Sequence, residues 1–210
     1  MTISHDCDAC GATVQGDDPG PFGDAYIAHV RTSHPDWPYA DQGIRNYAEA
    51  TQRLTGPRQR LEAIGEVVIE PVDEDRIDDW LSFFDHDAFV DNAGWAACYC
   101  SEPHLMERGA TPSEDDVRPW RENRELMIGF LRSGRSFGYL AYVEDRAAGW
   151  VNASKREACA LYRLGRGADP ADGDVVSVSC FTIAPPYRRH GLAEALLHRV
   201  VADAPGRGVR

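Results

Sequence analysis

The chain has 210 residues, room for one large domain or for a small module joined to a medium one. Apolar residues make up 43% of it, yet no run approaches the ~20 consecutive apolar residues of a membrane-spanning helix, which excludes a helical membrane protein. The formal net charge of −12 repels phosphate backbones and argues against nucleic-acid binding; it suits a cationic substrate, although Lys155 is the sole lysine and so strong an arginine bias points to the source proteome more than to function.

The opening residues, MTISHDCDAC, lack the charged start and apolar stretch of a secretory leader, so the expected compartment is the cytoplasm. There the six cysteines stay reduced, and a close pair is better read as metal-binding than as a disulfide. Cys7 and Cys10 sit in such a pair, followed at once by Gly11, the pattern of a tight turn that aims two thiolates at one point. The other half of a site comes from His29 and His34 in AHVRTSH, a spacing that puts both imidazoles on one side of a helix. Between the pairs, GDDPGPFGD reads as a longer loop before that helix. The Cys-Cys-His-His set resembles a zinc finger with atypical spacing, and Zn²⁺ would substitute for a missing core, since structural zinc supplies roughly 10–16 kcal/mol in finger peptides. The bland readings are free thiols near a terminus and histidines that only cap or cover a helix end; His5 is a spare ligand. Six aspartates, from Asp6 to Asp36, crowd the segment and leave no basic face for DNA, so its expected role is structural or protein contact. WPYADQGIRNYAEATQRLTG follows as a helix with Ile44, Tyr47 and Ala48 on one face, stopped by Gly56 and Pro57. The expected organisation is a module over residues 1–57, a connector over 58–65 and a second domain over 66–210.

In that second domain EVVIE predicts a first strand, ended by Pro71, and DEDRIDDWLSFF a helix with Ile77, Trp80, Leu81 and Phe84 at helical spacing. SEDDVRPWRENRELMIGFLRSG predicts a long helix capped by Ser113 and ended at Gly134. FGYLAYV and GWVNAS read as antiparallel strands joined by EDRAA. VVSVSCFTI, almost wholly apolar, predicts a central strand buried on both faces. YRRHGLAEALLHRVVADA then gives a helix with an apolar stripe of Leu192, Ala195, Leu196 and Val200. The order predicts a mixed α/β fold.

The junction of the last strand and last helix carries Arg188, Arg189, His190, Gly191, Leu192 and Ala193. A helix N-terminus offers unpaired N–H groups and a positive dipole end, and small residues at 191 and 193 let a diphosphate come close. The stretch CFTIAPPYRRHGLAEALL, a strand, then P-P-Y, then R-x-x-G-x-A, resembles the acyl-CoA pyrophosphate loop of the GNAT superfamily of N-acyltransferases. The resemblance spans Glu66 to the C-terminus, including the strand pair GYLAYVEDRAAGWVNAS. It implies a mostly antiparallel sheet flanked by helices, with backbone groups of Phe181, Thr182 and Ile183 pairing with pantetheine. Amides from Arg189 to Ala193 would hold the diphosphate, assisted by the side chains of Arg188 and Arg189. The implied reaction is direct attack of an amine, on a small molecule or a protein, upon acetyl-CoA. Deprotonating an amine of pKa ~10.4 at neutral pH costs about 5 kcal/mol, so a base is useful. Glu102 and His104 are the candidates, each with a surface residue as its plain alternative.

Cys180, in the apolar strand, reads as a packed thiol before a nucleophile, and Cys98 and Cys100 as buried thiols beside Trp95 and Tyr99 before a second metal site. The superfamily continues past this helix with a further strand, whereas this sequence ends at Gly208, Val209 and Arg210. The expectation is a fold whose C-terminal strands are missing, from a fragment or completed by a second copy in a homodimer. The rival reading is a zinc-containing regulatory protein that binds acyl-CoA without turnover.

Overall fold

The computed structural model describes residues 2–37, 40–106, 116–162 and 175–208. Strands β1 (Ile3–Asp6) and β2 (Thr13–Gly16) form an antiparallel hairpin. At its tip the Cys10 and Gly11 N–H groups both donate to the Cys7 carbonyl, and Gly11 takes φ 72°, a left-handed turn that glycine adopts without a Cβ clash.

Helix α1 spans Pro19–Ser33. The long loop expected from GDDPGPFGD is therefore absent, and its Pro-Gly-Pro-Phe-Gly-Asp portion is helix. The reason lies in the free N–H groups of a helix's first turn, where Pro19 and Pro21 lose no bond and bring a preset φ. Helix α2 (Asp41–Arg53) lies where the sequence puts it and buries Ile44 and Ala48 against Phe22, Tyr26, Ile27 and Val30 of α1. The segment thus has a small apolar core, to which a metal would add.

Strand β3 (Val67–Pro71) opens a four-stranded antiparallel sheet with β4 (Gly138–Val143), β5 (Arg146–Lys155) and β6 (Val176–Ile183), in the order β3-β4-β5-β6. The β4–β5 turn is only Glu144 and Asp145, both at positive φ, as a two-residue hairpin with the right twist requires; Arg146 to Ala148 of the expected loop are strand. Burial reverses another expectation. The strand enclosed on both faces is β5, buried from Ala147 to Ser154, whereas β6 pairs only with β5 among the described residues and leaves Phe181 41% exposed.

Helix α3 (Ile77–Ser82), extended by one wider turn over Phe83–Asp87, buries Ile77, Trp80, Leu81 and Phe84 against the sheet. A short α4 (Glu102–Leu105) follows the cysteine-bearing segment. Helix α5 (Trp120–Arg132) starts later than the sequence reading has it, and Ser113 lies outside the described residues. Its start is set by a distant group: Asn46 on α2 accepts from the Trp120 N–H at 3.0 Å and donates to the Arg118 carbonyl at 2.8 Å. Helix α6 (Leu192–Asp203) packs Leu192, Leu196 and Val200 onto the sheet. No described helix is long and apolar enough to cross a membrane.

Candidate functional site

The turn from β6 into α6 is held tightly from below and left open above. Pro185–Tyr187 make one buried helical turn that docks the chain on the core. Arg189 and Gly191 then take φ 68° and 81°, and Gly191 is the residue on which α6 begins. The first bond of the α6 ladder runs from Ala195 N–H to the Gly191 carbonyl, so the N–H groups of Leu192, Ala193 and Glu194 precede it and have no acceptor within the helix. A Cβ built at Gly191 would meet nothing within 4 Å, and Gly191 and Ala193 are exposed. An anion can therefore approach these donors without displacing protein atoms.

The arginines differ. Arg189 is exposed, whereas Arg188 is bound on three sides: its Nε donates to the Ile183 carbonyl, and its two terminal nitrogens grip both oxygens of Asp91. Its clearest work here is to brace the turn against the loop at Asp91. His190 is 3.0 Å through Nε2 from the Leu61 carbonyl, and Leu61 N–H donates to the Pro186 carbonyl, so residues around 61 lie across the same turn. Neither Asp91 nor Leu61 figures in the sequence reading, because each meets the turn from far away in the chain.

On β6, Thr182 is buried, Ile183 is half-buried, and the outer edge of the strand carries no partner among the described residues. The β5–β6 register shifts after Asn152, which faces Cys180, while Ala153 faces Val178, so Ser179 is an extra residue. Beside it the Cys180 sulfur lies 2.7 Å from that of Cys100. Trp95, expected to cover buried thiols, is instead 68% exposed, and Tyr99 is the fully buried ring.

Of the two candidate bases, Glu102 is exposed at the start of α4. His104 is buried, with Nδ1 3.2 Å from the Ala158 carbonyl and Nε2 3.2 Å from the Asn152 amide nitrogen. Burial holds its pKa below the usual imidazole range, and its lone pair is already engaged, an arrangement that suits a core histidine better than a base.

In the N-terminal segment Cys7, Cys10, His29 and His34 converge, their ligand atoms all within 4.8 Å of one another. Cys7 Sγ lies 3.6 Å from His34 Nε2 and Cys10 Sγ 3.4 Å from His29 Nε2. Tetrahedral zinc, with bonds of about 2.3 Å to sulfur and about 2.05 Å to nitrogen, separates S and N by about 3.5 Å, so the donor set fits that ion. His34 reaches the cluster by leaving the helix as its C-terminal cap. His5 lies outside it, 3.0 Å from the Tyr47 hydroxyl.

The sequence pattern described as "Acetyltransferase (GNAT) family" matches residues 95–210, more than half of the chain. The chain belongs to that family. No curated protein matches it. Among solved structures it resembles the aminoglycoside N-acetyltransferase AAC(6')-Iy in complex with CoA, at 17% identity and a TM-score of 0.41 over 71% of this chain and 76% of that one. It also resembles the GNAT domain of S. lividans PAT, at 18% identity and 0.43 over 70% and 69%. A third likeness is to a predicted acetyltransferase with acetyl-CoA from Clostridium acetobutylicum, at 12% identity and 0.42 over 69% and 77%. The matched residues of the GNAT pattern take in α4, the sheet from β4 to β6 and the whole turn into α6.

Proposed function

We propose that this GNAT protein transfers an acetyl group from acetyl-CoA to the amine of a small molecule or protein by direct attack, and that its N-terminal segment holds a structural zinc ion. The observation that carries the reading is the open, left-handed Gly191 at the head of α6, within the stretch of the chain that matches the family. The N–H groups of Leu192, Ala193 and Glu194, which have no acceptor within the helix, the helix dipole and the exposed Arg189 suit a diphosphate. Arg188 supports them by fixing the turn. The outer edge of β6 at Phe181 to Ile183, without a strand partner among the described residues, offers the main-chain groups that pantetheine amides would pair with, the Ile183 carbonyl being the one already held by Arg188. Bound there, acetyl-CoA supplies the activated acetyl group. Glu102, exposed and carried on the segment that meets β6 through Cys100, is the better placed of the two candidates to take the amine proton. Zinc would tie the β1–β2 turn to the end of α1 through Cys7, Cys10, His29 and His34.

Calorimetry with acetyl-CoA, followed by turnover assays with polyamines, aminoglycosides and amino acids, tests the proposal. Gly191→Val inserts a side chain into the open space and forces a β-branched residue to positive φ. It should weaken acetyl-CoA binding at least tenfold while the far-UV spectrum stays unchanged. A wild-type protein without affinity for coenzyme A sinks the reading, and binding without turnover on any amine removes the enzymatic half of it.

A further inference from the structure

Cys100 and Cys180 are separated by 80 positions in sequence and by 2.7 Å between their sulfurs, within about 0.7 Å of a covalent S–S bond. Both sides of the contact are built by unusual backbone. Tyr99 and Cys100 are successive non-glycine residues at positive φ, 48° and 58°, a sparsely populated conformation that persists only where the surroundings enforce it. Here they do. The Tyr99 hydroxyl donates to Asp85, and its ring stacks between Phe84 and Trp120. On the facing strand the extra residue Ser179 interrupts the ladder beside Cys180, the kind of bulge that re-aims a side chain.

The three thiols of this region are unequal. Cys180 is half-buried and receives the Cys100 thiol hydrogen bond, with the Thr182 hydroxyl 3.6 Å away, and these contacts favour its thiolate and lower its pKa. Cys100 is fully buried, and desolvation keeps it protonated. Burial, aided by the Glu102 charge, pushes the Cys98 thiol up to about 12. One sulfur is set to react with an oxidant and the second to resolve the product.

We propose that Cys100 and Cys180 form an oxidisable dithiol, which a hydroperoxide converts into a disulfide tying the segment before α4 to β6. In the first step the Cys180 thiolate attacks the peroxide; an S–O bond forms, the O–O bond breaks, and the departing oxygen leaves as water. The Cys100 sulfur then attacks the Cys180 sulfenic acid, forming S–S and breaking S–O, and its thiol proton leaves with the second water. Two thiols lose two electrons and two protons, and hydrogen peroxide becomes two waters. This goes beyond the acetyltransferase reading and does not depend on it, since the pair is defined by its own geometry.

The zinc-loaded chain is exposed to hydrogen peroxide, unfolded in N-ethylmaleimide, and digested with and without dithiothreitol. The expected map joins the Cys100 and Cys180 peptides, with alkylation of both reduced at least tenfold and restored by dithiothreitol. Cys98→Ser should keep the link, and Cys180→Ser should lose it while leaving Cys100 alkylatable. Linkage of Cys100 to Cys98, linkage of Cys180 to Cys7 or Cys10, sulfinic acid at Cys180 with Cys100 still free, or no oxidation at either position overturns the proposal. The wild-type map decides even where Cys180→Ser fails to fold.

Discussion

His104 donates from Nδ1 to the Ala158 carbonyl and accepts at Nε2 from Asn152, whose own oxygen is fixed by the Ser154 hydroxyl at 2.6 Å. That chain of bonds commits the ring to one neutral tautomer, and burial holds its pKa below the unfolded value of about 6.5. The sign follows. Above about pH 6.5 neither state takes up a proton at this site, and below it the unfolded chain does so first, so stability falls as pH drops through 6.5 toward the folded pKa. The ring resonance of His104 should titrate below 6.5 by NMR. His104→Gln should cost about 1–3 kcal/mol in urea unfolding at pH 7.5, by disturbing the buried Asn152 network, and should shrink the difference between pH 7.5 and 5.5. A midpoint above 6.5 contradicts the neutral assignment. At this scale the sequence exposes what is local. Gly191 is legible because a left-handed turn before a helix leaves a mark in six consecutive residues, whereas the grip of Asp91 on Arg188 spans 97 positions and leaves none.

Apolar spacing placed the bodies of the helices and strands well, since the faces carrying Ile44 and Ala48, Trp80 and Phe84, and Leu192 and Leu196 are the buried ones. Boundaries fared worse, for a physical reason. A helix starts where its first N–H groups find acceptors or need none, and those acceptors are often far along the chain. Two prolines settle the start of α1, which could have been read from sequence alone. The start of α5 rests on Asn46, which could not. Asn46 is 5% exposed and makes two bonds to the Arg118–Trp120 segment, so Asn46→Ala takes from the Trp120 N–H and the Arg118 C=O the partner that fixes the start of α5. The expected loss is about 2 kcal/mol by denaturant unfolding, with its onset at α5 visible as faster amide exchange from Trp120 to Asn123. A loss under about 0.5 kcal/mol would mean that solvent caps the helix equally well. β6 shows the limit of patterning: an apolar, β-branched run signals a strand but not its neighbours, and among the described residues β6 pairs on one side only, with β5, and is half-buried along most of its length.

Across the molecule, contacts run over the boundary that the sequence reading draws at residue 57. Arg53 on α2 donates to the carbonyls of Phe84, Asp85 and Ala96, lies over the rings of Tyr99 and Trp120, and pairs with Asp85. Glu49 accepts from Trp120 Nε1 at 2.8 Å, and Leu61 rests on the turn into α6. Helix α2 thus serves two cores: one face closes on α1, beside the cluster of Cys7, Cys10, His29 and His34, and the other completes the acetyltransferase body. Metal bound at Cys7, Cys10, His29 and His34 should therefore stabilise residues more than a hundred positions away. At a free metal concentration 1,000-fold above its dissociation constant the linkage is worth about 4 kcal/mol. For a chain of this size that corresponds to roughly 8–16 °C in unfolding temperature. Removing zinc with a chelator should lower the melting of β4 to β6, followed by tryptophan fluorescence, by that amount and in the same single transition as the N-terminal helices. Two transitions, with only the early one moved by the chelator, would instead describe a finger that folds beside the acetyltransferase and lends it nothing.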